Sequence, residues 1–149
     1  MNSTTAALLA IHVLSAVIWV GGGFYTVVVL RPALNLLDAA PRLQVQMQTL
    51  KKLFFYIWHA MPLMILTGWA MVFLFWGGFG ALPWSINAMQ GLGILMALIF
   101  IYTFFDPWQR LRRAVRPGPE LFTRVRNLVT LNVVLGTLTI VAGALGHSW

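Results

Sequence analysis

The sequence contains no cysteine. That excludes a disulfide framework, a thiolate nucleophile, a zinc ribbon and an iron–sulfur site. Charge is also scarce. Ten Lys and Arg and three Asp and Glu make up 9% of the 149 residues, against about 25% in an average soluble domain. So few charges cannot give a water-soluble fold of this size a polar skin. The same numbers exclude disorder, because disordered chains are charged and poor in aromatics. Here 60% of residues are hydrophobic and 13% aromatic. An integral membrane protein remains. The net charge of +7 would suit nucleic acid, so where the charges sit decides their meaning.

They sit in two windows. Arg31, Arg42, Lys51 and Lys52 occupy the first. Arg110, Arg112, Arg113, Arg116, Arg124 and Arg126 occupy the second. Asp38, Asp106 and Glu120 fall in the same windows. Stretches 1–30, 53–105 and 127–149 carry no Lys, Arg, Asp or Glu. A helix needs roughly 20 apolar residues to cross a bilayer core. The first and last stretches hold one span each. The middle one holds two, broken at Gly77-Gly78-Phe79-Gly80 and Pro83. Lipid offers backbone groups no partners, so the spans must be helical. The expectation is an all-α, integral membrane four-helix bundle forming one domain over 1–149. Its spans fall at about 5–30, 53–76, 86–105 and 127–147. Loops 31–52 and 106–126 carry all the basic residues. The positive-inside rule places these loops in the cytoplasm and both termini outside. The basic charge then reads as topology and lipid contact, and no nucleic-acid partner is expected. Met1-Asn2-Ser3-Thr4-Thr5 lacks the positive start of a signal peptide, so span one is expected to be retained.

Finer features follow. Span one should stop before Arg31-Pro32. Span two should begin near Pro41 and carry an apolar stripe of Leu43, Met47, Leu50 and Phe54 through its polar start. Asp106-Pro107 reads as a cap and a first-turn proline, opening a short interfacial helix over 108–115. Span four should start near Pro119 or Glu120. Trp76, Trp84, Trp108 and Trp149 fall near the expected interfaces, where tryptophan is enriched.

With no acid in the spans, three histidines carry the chemical interest, because an ionisable group inside a membrane is costly and imidazole is a common metal ligand. His12 lies in span one. Trp19, Gly22, Gly23 and Thr26 follow on its helix face, offering a ligand, a flat aromatic and room for a plane or another helix. The competing reading makes the glycines a small-residue helix contact and His12 a donor to a neighbouring carbonyl. His59 lies about 10 Å above the inner edge of span two. There Pro62 frees the Trp58 carbonyl, which His59 could satisfy. Met61, Met64 and Met71 are near; methionine is a soft metal ligand but also ordinary packing. His147 ends span four at nearly the depth of His12. His12 and His59 differ in depth by about 17 Å for straight helices, too far to share one iron. An inner haem on His59 would have Lys51, Lys52, Arg31 and Arg126 for its propionates; an outer one would have the paired ligand. Asn132, mid-span, should make an interhelical hydrogen bond. Hydrolytic chemistry is not indicated: there is no phosphate loop, serine triad or acid pair.

The stretch His12-Val-Leu-Ser-Ala-Val-Ile-Trp19-Val-Gly21-Gly22-Gly23-Phe24-Tyr25, followed by Arg31-Pro32, resembles the first helix of CopD-like membrane proteins and of HemJ-type protoporphyrinogen oxidases. Asn132-Val-Val-Leu-Gly136 with Gly143, and Thr67-Gly68, look more like the CopD side. The HemJ resemblance implies haem b with His12 as a ligand. The CopD resemblance implies copper handling. HemJ-type proteins carry a lysine in the third helix and a histidine after its tyrosine. This chain has Ala88-Met89-Gln90 there, and Tyr102 is followed by Thr103, which weighs against porphyrinogen oxidation. The leading expectation is a b-type cytochrome of a bacterial cytoplasmic membrane, exchanging electrons with quinone or a partner protein. His12, His59 and His147 would be its ligands, with Trp19, Gly22 and Gly23 lining the haem. Copper transfer, using histidines and methionines, is the alternative. A structural or assembly subunit is the third. A homodimer through the glycine-rich first span is also expected.

Overall fold

An apolar segment in lipid must satisfy its own backbone hydrogen bonds, and a helix does so. The computed structural model describes residues 3–146 and contains four long helices: α1 Ser3–Leu34, α2 Ala39–Trp76, α3 Trp84–Arg113 and α4 Pro119–Leu145. Each is long and apolar enough to cross a membrane. No strand occurs among the described residues. At 1.5 Å per residue, α2 is about 57 Å long, well beyond a hydrocarbon core of about 30 Å. Its polar first turns therefore stand clear of the lipid.

Local sequence explains the ends. Asp38 is extended, and α2 starts immediately after it. The Arg42 guanidinium donates to the Leu37 carbonyl at 2.8 Å and the Asn35 carbonyl at 3.3 Å, tying the α1–α2 turn together. Gly77 and Gly78 take φ of 67° and 130°, a region that suits glycine, and end α2. Gly118 is extended ahead of Pro119, with Glu120 in the first turn of α4, where acid meets the positive helix end.

Two expected breaks are absent. α1 does not stop before Arg31-Pro32. It widens into π-type turns over Val17–Gly21 and Tyr25–Leu30. Pro32 then falls second in the last α-helical segment, Arg31–Leu34. Nor does Asp106-Pro107 open a separate interfacial helix. A π-type turn over Phe104–Trp108 carries α3 past the proline. Its wider bonding passes the carbonyl four residues before Pro107 to the residue beyond it, so the helix survives. The extra residue also turns Trp108 inward. It is 2% exposed and edge-on to Phe54 at 5.1 Å, so it belongs to the core and not the interfacial belt. Trp76 and Trp84 are exposed as expected. Trp149 lies outside the described residues.

The amino-terminal half of α1 packs along α2, and α3 lies along α4. The glycine stretch of α1 crosses onto α4. A Cβ on Gly23 would sit 2.8 Å from Val133 Cγ2, and one on Gly136 would meet both Val20 and Met96. Large rings bridge α2 and α3: Phe54 and Trp58 pack edge-on to Phe100 and Phe104. Leu50 and Phe54 of the expected α2 stripe are buried, and Met47 packs on the core. Exposed apolar residues occur on every helix, among them Leu14, Leu66, Leu98 and Ile140. In water such a surface would drive aggregation; here it faces the bilayer.

Candidate functional site

His12 faces α2. Its Nδ1 lies 2.8 Å from the Met64 carbonyl oxygen and 3.2 Å from Thr67 Oγ1. A carbonyl only accepts, so Nδ1 carries the proton and donates it. Thr67 in turn donates to the Leu63 carbonyl at 2.6 Å. In the neutral ring, Nε2 is then left with its lone pair, the arrangement found in metal-binding histidines, where a bond at one nitrogen orients the other. Gly68 makes room for the ring: a Cβ there would sit 3.1 Å from His12 Cε1. Thr67-Gly68 on α2 thus forms the seat for a histidine on α1.

Thioethers lie in the same bundle. Met61 and Met64 are buried on the inward face of α2, and Met96 of α3 is 2% exposed. All three belong to the core cluster that contains Trp19. Thr139 Oγ1 lies 3.9 Å from the Met96 sulfur. Further from the basic loops, Met89 packs over Gly143, its sulfur 3.0 Å from where a Cβ would stand. Beyond it Ser85 packs on Gly146. Small residues on α4 therefore seat methionines of α3, away from the basic loops. Toward those loops the core is aromatic, built on Trp19, Phe54, Phe100, Phe104 and Trp108.

Asn132 lies beside the aromatic part of the core, sharing a cavity with Trp19, Phe54 and Phe100. It is 7% exposed, and its Oδ1 has no hydrogen-bond partner. It lines a cavity of about 10 Å³ with Trp19, Gly23, Thr103 and Val129, about the room one water needs. The expected interhelical bond from Oδ1 is thus not made.

Among the described residues, His12 and His59 do not converge, as their difference in depth leads one to expect. His59 is exposed, its Nδ1 2.8 Å from the Phe55 carbonyl of its own helix and its ring tilted against Phe55. It leaves the Trp58 carbonyl alone. Relative to Met64, which His12 touches, His59 lies about 8 Å along α2 and about 140° around it. His147 lies outside the described residues. Gly22 meets Leu53 of α2, and Gly23 meets Val133 of α4, so both glycines serve close helix contact and not an open face. The cavities described here measure about 10 and 70 Å³, against roughly 300–1,000 Å³ for a cofactor pocket. Among the described residues, the side chains do not frame a haem. No cluster of three or more His, Cys, Asp or Glu occurs among them. Sequence reasoning passed over Met96 and Met89. The signal was the glycine pair Gly136 and Gly143, spaced like the methionines they receive.

These features define a four-helix membrane protein with nitrogen and sulfur donors in a dry core. The family model described as copper resistance protein D matches residues 47–145, about two thirds of the chain, and the chain belongs to the CopD family. The match covers most of α2 and all of α3 and α4. No curated protein and no solved structure matches the chain.

Proposed function

We propose that this protein passes copper, as Cu(I), across or within a bacterial cytoplasmic membrane, with both termini outside. One observation carries the reading. His12, with Nε2 free of its proton, is seated on the Met64 backbone carbonyl, and the thioethers of Met64, Met61 and Met96 are buried in one core cluster. Soft thioether ligands select Cu(I), and imidazole also accepts copper. Thioethers suit a membrane interior because they are neutral, whereas a carboxylate there would be costly. The monovalent ion needs ligands at each stage of a low-dielectric path, and the methionines supply them in succession from Met89 inward. Membership in the CopD family supports copper as the cargo. The ion enters and leaves in the same oxidation state, so no electron partner is required.

The test is Cu(I) binding by purified protein in detergent, read by competition with a chromophoric Cu(I) chelator. The wild type should hold copper, and His12→Ala and Met64→Leu should each weaken it about tenfold or more. Wild-type protein that takes no Cu(I) from the chelator would overturn the reading. So would variants that bind as the wild type does.

A further inference from the structure

At the basic end of the bundle, α1, α2 and α4 part around a second cavity of about 70 Å³. Two arginines from different helices border it, Arg31 of α1 and Arg126 of α4. Gln46 and Thr49 of α2 stand between them. The remaining wall is apolar, with Leu30, Leu34, Leu50 and Phe122. Among the described residues, the acids do not answer these arginines. The ion pairs there join Asp106 to Arg110 at 2.8 Å and to Arg124 at 3.8 Å. Neither Arg31 nor Arg126 has an acidic partner among the described residues, and guanidinium forks match phosphate oxygens.

We propose that this cleft binds the phosphate of an anionic phospholipid. Arg31 and Arg126 hold the phosphate oxygens, and Gln46 and Thr49 add neutral hydrogen bonds. The cavity exceeds the room that one water needs. The apolar wall fixes the source of the phosphate. A free phosphate would use the arginines and leave Leu30, Leu34, Leu50 and Phe122 unused, whereas a lipid covers them with its glycerol and first acyl carbons. Basic pockets between membrane helices recognise anionic headgroups on these terms. A lipid here would join three helices that otherwise part.

The test is the thermal unfolding midpoint of the full chain in a neutral detergent, with phosphatidylglycerol, phosphatidylcholine or inorganic phosphate added. Phosphatidylglycerol should raise the wild-type midpoint by about 3–5 °C. Phosphatidylcholine and inorganic phosphate should leave it within about 1 °C. The double variant Arg31→Gln/Arg126→Gln should lose the response. The variant Arg112→Gln/Arg113→Gln, which removes the same charge away from the cleft, should keep it. Equal responses to the two lipids would overturn the proposal, as would equal responses to phosphatidylglycerol and inorganic phosphate. So would an undiminished response in the first double variant. If that variant does not fold, the wild-type contrast among the three additives still decides.

Discussion

His12 shows how one residue's chemistry is set by its neighbours. The Met64 carbonyl takes the Nδ1 proton, and Gly68 leaves space for the ring edge. Gly68→Ala places a methyl 3.1 Å from His12 Cε1, so the ring must shift to make room. Its expected effect is a loss of Cu(I) affinity of about tenfold with a stability cost of about 1–3 kcal/mol. Chelator competition and thermal unfolding on the same sample check both, and an unchanged affinity would show that the seat does not matter. Asn132 makes the opposite case. Its Oδ1 is buried without a partner, and such a group costs about 1–3 kcal/mol. Asn132→Leu should therefore leave the unfolding midpoint equal or raise it. A fall of several degrees would mean that a bound water or another group satisfies the amide. His12 was legible in the sequence as the one imidazole on a face with Trp19 and small residues. That it donates to a carbonyl was one of two readings, and only the partner helix, 52 residues away, could choose between them.

At the scale of the helix, the informative departures are the π-type turns. Composition and charge gaps place four helices, because lipid leaves no other solution. Hydrophobic patterning assumes 3.6 residues per turn, however, and cannot foresee a wider turn. The turn at Phe104–Trp108 rotates everything beyond it. Trp108, expected near the interface, becomes core together with Leu111, at 2% and 1% exposure. Trp108→Ala should accordingly cost about 3–5 kcal/mol. Trp84→Ala, on a residue 62% exposed, should change stability by less than about 0.5 kcal/mol. Equal effects in unfolding experiments would return Trp108 to the interface. The same turn brings Asp106 to Arg110 and Arg124, while Arg124 also donates to the Tyr102 hydroxyl and lies over its ring. This partly exposed cluster joins α3 to α4 at the basic end, and its contribution is modest.

For the molecule as a whole, orientation and cargo are the two questions. The gathering of every Lys and Arg into two windows argues for a cytoplasmic basic end. The absence of cysteine makes this directly testable. Gly80→Cys should react with a membrane-impermeant maleimide in intact cells, and Arg116→Cys only after permeabilisation. The reverse pattern would invert the topology. The layered core was only half legible in the sequence. Methionines on one helix face look like packing, and nothing local shows that Met96 of α3 and Met61 and Met64 of α2 belong to one cluster. That follows from α1 and α4 closing through Gly23 and Gly136. Depth along a helix separates His12 from His59, as expected, but says nothing about rotation around it; His147 lies outside the described residues. Cu(I) held by His12 and the core thioethers is the central claim, and chelator competition on purified wild-type protein and His12→Ala tests it most directly. The expected result is copper retained by the wild type and weakened about tenfold by the variant. A wild type that surrenders all its copper to the chelator, or a variant that binds equally well, would contradict it.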